Sequence, residues 1–211
     1  MPSLVSVPRA ACFEQLSFFS PAKVNLFFRV LYKREDGFHE IASLYQAINL
    51  GDYLHIRRAN QDHFICSDPT LGMCDQNLVR KALALFRNET GILDSLHIHL
   101  EKNIPREAGL GGGSSNAATT LWALYKLFGC TPSLSEFQRL GSILGSDVPF
   151  FFSSGTAYCT GRGEKLMEIS LSDTFYDTSF WIAKPFSGLA TPKVYKACNP
   201  SLVPSRDPLQ S

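Results

Sequence analysis

The stretch Pro105-Arg106-Glu107-Ala108-Gly109-Leu110-Gly111-Gly112-Gly113-Ser114-Ser115-Asn116-Ala117-Ala118, PREAGLGGGSSNAA, sets four glycines and two serines directly before an apolar periodicity. Glycine loses more conformational entropy on folding than any other residue, so such a cluster implies a backbone path that side chains would block. Ala117, Ala118, Leu121, Trp122, Leu124, Tyr125 and Phe128 follow at three- and four-residue spacing. That spacing predicts a helix buried on one face, with Gly129 as its stop. A glycine loop opening a helix presents unpaired N–H groups and the positive end of the helix dipole, and both favour an anion such as phosphate. Neither of two familiar phosphate loops fits. No lysine precedes the serines, as G-x-x-x-x-G-K-[ST] requires, and counted from Gly109 the sixth position of G-x-G-x-x-G is Ser114. A surface turn capped by Ser114 is the competing reading of the same residues.

The chain has 211 residues, 45% hydrophobic and 18% charged, enough for a sizeable core in one large domain or one domain and part of another. Twenty basic residues against 19 acidic ones leave a formal charge of +1, so no overall basic footprint marks a nucleic acid or an acidic membrane, and a small-molecule partner is expected. Cys12, Cys66, Cys74, Cys130, Cys159 and Cys198 are scattered without a C-x-x-C pair. They fit neither a zinc site nor a compact disulfide framework, and are expected as reduced thiols of a cytoplasmic protein. The first 19 residues hold Pro2, Pro8 and Arg9 and build no continuous apolar core, so neither a cleaved signal peptide nor a bilayer span is expected.

Ala22, Val24, Leu26, Phe28 and Val30 alternate as one face of a strand and leave Lys23 and Asn25 together on the other. A turn at Glu35-Asp36-Gly37, an apolar run from Ile41 to Leu50, a second turn at Gly51-Asp52 and a short strand Tyr53–Ile56 predict a β-meander. Asn77 to Phe86 has helical spacing, Leu96 to Leu100 alternates as a strand, and Ser133-Leu134-Ser135-Glu136 matches a capping box for a helix ending near Gly145. In "LGSDVPFFFSSGTA", from Leu144, one acid, Asp147, stands among apolar and small residues before Pro149. It has two compatible readings: an N-cap with proline in the first turn, or a general base in a dry pocket.

Three segments stand in order: "SPAKVNLFF" from Ser20, "GLGGGSSNAA" from Gly109 and "LGSDVPFF" from Leu144. Together with "DGFHEI", "QNLVRKA" and "GRGEKL" they resemble the GHMP small-molecule kinases over about Ser20 to Lys196. The resemblance implies an α+β chain: a ribosomal-protein-S5-domain-2-like N-terminal domain over residues 18–168, then the start of an α+β C-terminal domain over 169–211, incomplete within this chain. Phe180 to Ala183 would be that domain's first strand, and Thr191-Pro192 the cap and first turn of its first helix.

The same resemblance implies an ATP-dependent enzyme using Mg²⁺. Residues 105–115 would wrap the triphosphate, with the helix start at Ser114 to Asn116 facing its charge, Asn77 near adenine and Lys102 also serving the nucleotide. Asp147 would take the proton of a substrate 2-hydroxyl while Lys23 stabilises the aspartate and the developing charge. The implied substrate is a cytidine diphosphate-linked methylerythritol of the non-mevalonate isoprenoid pathway. Phe38 and His39 would hold its base against Tyr195, with Asn25 beside Lys23. Two departures stand out. Phe38 replaces the commoner tyrosine and loses its hydroxyl. Arg106-Glu107-Ala108 replace smaller residues, and Glu107 is awkward beside a triphosphate unless it points away or helps hold a cation. A GHMP kinase for a different alcohol, or a nucleotide-binding chain without turnover, are the rival readings.

Overall fold

The computed structural model describes residues 15–72, 74–171, 177–179, 181–185, 188, 194–195, 197 and 207–210. Two long antiparallel strands organise it, β1 (Leu16–Lys33) and β2 (His39–Arg58). They are joined by a turn in which Gly37 takes a φ of 83° and Asp36 Oδ1 accepts from the Phe38 N–H at 3.1 Å. The other edge of β2 is shared. Its C-terminal half pairs with β4 (Leu96–Glu101), and its N-terminal half with β5 (Thr156–Thr160). β3 (His63–Cys66) runs parallel to β4, and β6 (Lys165–Glu168) closes antiparallel on β5. A short helix, α1 (Pro69–Gly72), follows β3.

Three longer helices cover one face of the sheet: α2 (Leu78–Thr90), α3 (Gly112–Leu127) and α4 (Leu134–Leu144). Their ends follow local chemistry. Asn77 caps α2 by accepting from the Val79 N–H, and Ser133 caps α4 by accepting from the Glu136 N–H. Gly91 and Gly129 close α2 and α3 at φ 71° and 69°, a region costly for side chains other than glycine. The core lies between helices and sheet, with Leu54, Ile56, Ile98 and Leu100 packed among Val79, Phe86, Leu121, Leu124 and Leu140.

Several sequence expectations change. The sheet is not a meander beyond the β1–β2 hairpin, because β3 and β4 are parallel and α2 lies between them in the chain. Gly51-Asp52 is not a turn: β2 runs through it and carries two extra residues, Asn49 and Leu50, where the register with β1 shifts between Pro21 and Ala22. Glycine is needed at 51 because a Cβ there would sit 2.3 Å from the Phe19 ring. A second bulge, between Asn25 and Phe27, breaks the alternation of β1. Phe27 turns inward against Leu31, Ala42 and Tyr158, and Phe28 turns outward. Trp181 to Ala183 form no strand, Phe180 and Thr191-Pro192 lie outside the described residues, and Trp181 is fully exposed.

Candidate active site

Strand β1 lies against the glycine loop, the Lys23 N–H donating to the Leu110 carbonyl at 3.0 Å. The Lys23 side chain is only 6% exposed, and its ammonium is held three ways. Nζ donates to Asn25 Oδ1 at 2.8 Å, lies 3.5 Å from Asp147 Oδ2, and sits 4.2 Å from the centroid of the Tyr45 ring. The shared face read for Lys23 and Asn25 is therefore real, and it continues to Ser43, whose hydroxyl accepts from Asn25 Nδ2 at 2.9 Å.

Asp147 does not cap the following turn. That turn is a 3-10 helix, Pro149–Phe152, with Val148 in the cap position and no side-chain bond. The carboxylate instead receives the Tyr45 hydroxyl on Oδ1 at 3.3 Å and the Lys23 ammonium beside Oδ2, while its side chain stays 30% exposed. Burial, and then the Asp147 charge, push the Tyr45 phenol up, so it stays protonated and donates. Burial with the same carboxylate pushes the Cys159 thiol up to about 12. Two glycines make this packing possible. A Cβ on Gly163, at φ 113°, would lie 2.9 Å from Tyr45 Oη, and one on Gly111 would lie 3.0 Å from Lys23 Cγ and from Phe151 Cζ.

The loop delivers a bare helix start. α3 begins at Gly112 with Gly111 left-handed in the cap position and no side-chain cap, so Ser114 is not the cap of a surface turn. Gly113 is exposed and Ser114 half-buried, which leaves the first amides of α3 open to an anion. Ser115 and Asn116 face inward instead, one and two residues further round the helix. Ser115 Oγ lies 2.8 Å from Ser20 Oγ, and Asn116 Nδ2 donates to Ser20 Oγ at 3.0 Å and to Asp52 Oδ2 at 2.8 Å.

Asp52 is fully buried and anchors the loop. Oδ1 accepts from the N–H groups of Asn103 at 2.7 Å and Ile104 at 2.8 Å, while Oδ2 pairs with the Lys102 ammonium, itself donating to Asn116 Oδ1 at 3.0 Å. Lys102 is thus locked into the support of the loop. Leu110 packs with Ala22 and Ile104, with Ala108 at the edge of that cluster. Arg106 Nη1 donates to Thr70 Oγ1 at 2.5 Å, tying the loop to α1. Glu107 takes a φ of 50° and its side chain abuts Gly188, while Pro105 and Gly109 are exposed. Asn77 is near the loop, since a Cβ on Gly113 would lie 3.6 Å from Leu78 Cδ1. Its side chain is already engaged at both ends, by the Val79 N–H and the Leu71 carbonyl.

The aromatic group pairs differently from expectation. His39 itself stacks on Tyr195, centroids 5.2 Å apart and planes 22° apart, and Phe28 meets Tyr195 edge-on at 6.4 Å. A base between two rings needs about 7 Å, so His39 and Tyr195 must part to admit one. Phe38 is 52% exposed, with the Arg162 guanidinium 5.0 Å from its centroid. Asp52, Tyr45 and Gly163 carry site geometry that the sequence reading missed. Gly-Asp had the local look of a turn, whereas an acid between two apolar stretches, Ile48 to Leu50 and Tyr53 to Ile56, was the available signal for a buried carboxylate.

The GHMP kinases N terminal domain matches residues 77–155. A 4-diphosphocytidyl-2-C-methyl-D-erythritol kinase of Protochlamydia amoebophila is 52% identical over 181 residues, 86% of this chain and 62% of the relative. The chloroplastic/chromoplastic kinase of the same name from Solanum lycopersicum is 43% identical over 206 residues, 96% of this chain and 51% of the relative. The chain therefore spans about half to three fifths of the length of these curated relatives. A crystal structure of 4-(cytidine 5'-diphospho)-2C-methyl-D-erythritol kinase superposes with a TM-score of 0.72 at 33% identity, covering 92% of this chain and 69% of that one. A mevalonate kinase at 17% identity, with a TM-score of 0.58, shares the fold. With that crystal structure more than two thirds covered and the N-terminal domain matched across the glycine loop and Asp147, the chain belongs to the GHMP kinase family.

Proposed function

We propose that this chain carries the phosphate-binding and proton-accepting wall of a kinase that phosphorylates the 2-hydroxyl of 4-diphosphocytidyl-2-C-methyl-D-erythritol. The observation that carries the reading is the Lys23–Asp147–Tyr45 cluster bonded along β1 to an uncapped glycine-loop helix. Phosphoryl transfer needs little covalent help from protein; it needs in-line positioning and stabilised charge. In this reading the amides opening α3 and the Lys23 ammonium offset the charge of the transferring group. Asp147, open on one side and steadied on the other, takes the proton as the substrate oxygen bonds to the γ-phosphorus and the bond to the β-phosphate oxygen breaks. The products are ADP and a phosphomonoester.

The bare helix start fits a nucleotide triphosphate. Mg²⁺ would enter with it, the phosphates supplying most of its hard oxygen ligands, with the Ser114 hydroxyl and the open edge of Asp147 as the oxygens of this wall. His39 and Tyr195, parting around the pyrimidine, with Phe38 beside them, would hold the cytidine end. The names of the curated relatives and of the 33%-identical crystal structure support this substrate over mevalonate or homoserine. Among the described residues no helix is long and apolar enough to cross a membrane, and Cys66, Cys74, Cys130 and Cys159 are free, which supports a reducing compartment such as the cytoplasm. A substrate panel tests the reading: ADP release should require the cytidylated alcohol and be inhibited by CDP. ADP release with mevalonate or homoserine instead, indifferent to CDP, would overturn it.

A further inference from the structure

Four of the five histidines, His55, His63, His97 and His99, lie on the sheet face away from the helices. His55 on β2 and His99 on β4 are direct cross-strand partners, and Glu101 lies two residues past His99 on the same face. Their ligating atoms all fall within 4.8 Å of one another. Glu101 Oε1 is 3.3 Å from His55 Nε2 and 3.8 Å from His99 Nδ1. A tetrahedral ion with bonds of about 2.0–2.2 Å sets its ligands roughly 3.4 Å apart, which the two Glu101 spacings approach, and the whole set, within 4.8 Å, would draw together around one ion.

His55 Nε2 is buried and makes no hydrogen bond, although the Glu101 carboxylate stands beside it. The other ring nitrogen, Nδ1, is 2.8 Å from Ser17 Oγ on β1. In the tautomer whose Nδ1–H donates to that hydroxyl, the Nε2 lone pair faces the carboxylate, and a cation between the two would satisfy both. A second hydrogen bond holding the far nitrogen is the usual way a metal-binding imidazole is oriented. The platform is rigid, because Leu54, Ile56, Ile98 and Leu100 of the same two strands are fully locked in the core on the opposite face.

We propose that His55 Nε2, His99 Nδ1 and Glu101 form a site for a borderline-soft divalent ion, Zn²⁺ first, with the fourth position open to water. The donor set suits Zn²⁺ rather than the Mg²⁺ of phosphoryl transfer, and it is independent of the kinase reading. Its position is consequential: Glu101 adjoins Lys102, and Tyr53 opposite it adjoins Asp52, the pair that anchors the glycine loop. An ion here would pin β2 to β4 at that point.

The test uses the full chain with cysteines reduced and Zn²⁺ alone, titrated against a chromogenic chelator, with melting followed in parallel. One equivalent should bind and raise the melting temperature. His55→Gln and His99→Gln should each weaken it by at least about 10–100-fold, Ser17→Ala by about 10-fold, and His63→Gln should leave it unchanged. Substituted Co²⁺ should show a tetrahedral spectrum without thiolate charge transfer. No saturable binding in the micromolar range, a thiolate spectrum, or affinity that follows His63 rather than His55 and His99 would overturn the proposal.

Discussion

Replacing Asp52 by alanine should cost about 4 kcal/mol of stability and disable the glycine loop. The carboxylate is fully buried and serves four donors: the Lys102 ammonium, the Asn116 amide and the N–H groups of Asn103 and Ile104. Removing one member of a buried ion pair typically costs about 3–5 kcal/mol, because the other charge is left in low dielectric. Each of the three amides would add about 1–3 kcal/mol if left dry; with water admitted to them, the ion-pair cost of about 4 kcal/mol is what remains. A domain is stable by only about 5–15 kcal/mol, so this single change removes a large fraction. Equilibrium urea unfolding of parent, Asp52→Ala, Asp52→Asn and the Asp52→Ala/Lys102→Met pair provides the assay. Asparagine keeps an oxygen for the two backbone N–H groups and should recover about half the loss. Methionine at 102 removes the stranded ammonium, so the double variant should be more stable than Asp52→Ala alone. In folded variants the ATP dissociation constant should rise, since Gly112 packs against Lys102 and Ile104. A cost below about 1 kcal/mol, or additive losses in the double variant, would refute the anchoring role.

Gly111→Ala should weaken ATP binding and slow turnover, because left-handed alanine costs about 1–2 kcal/mol and its Cβ displaces Lys23; unchanged ATP affinity by calorimetry would count against close approach. His39→Ala and Tyr195→Ala should each raise KM for the cytidylated substrate by the equivalent of about 1–3 kcal/mol with little effect on ATP; equal CDP inhibition of parent and variants would remove the base-binding assignment. Asp62 tests acid behaviour. Arg87, bonded to both its oxygens at 2.7 and 2.8 Å, holds its carboxyl below the ordinary 3.8, so the pair adds stability above that value and loses it as the pH falls through the lower folded one. The stability gap between parent and Asp62→Asn, about 1 kcal/mol or less for so exposed a pair, should be constant above about pH 5 and shrink only as the pH drops below the ordinary 3.8 and through the lower folded value; an equal gap at both ends would contradict the sign.

Local chemistry was legible where it acts over a few residues. Ser133 as a cap, Gly129 as a helix stop and Gly37 in a turn follow from backbone geometry that neighbouring residues set alone, whereas the Asn77 cap was not read. Lys23 and Asn25 could be placed on one face because a strand alternates. The same alternation misled at Phe28, since a bulge is set by pairing with β2, a partner the local pattern does not contain. Asp52 was misread for a similar reason: Gly-Asp favours a turn by itself, but four donors more than 49 positions further along the chain draw it into the interior. The meeting of Lys23 with Asp147 came from family resemblance, and the Tyr45 hydroxyl between them left no mark in the local sequence. The Ser115 and Asn116 contacts show how a motif read as ligand-facing can instead be half ligand-facing and half structural, since successive helical residues point about 100° apart.

Single-turnover phosphoryl transfer at saturating ATP, with the cytidylated alcohol and product followed by ³¹P NMR, tests the central claim most directly. The chain should form ADP and one new phosphomonoester on the 2-hydroxyl in equal amounts. Asp147→Asn should keep the ATP dissociation constant and slow transfer by about 10²–10⁴-fold, the usual worth of a positioned base. Near-parent transfer by Asp147→Asn, or phosphate appearing on another hydroxyl, would contradict the account.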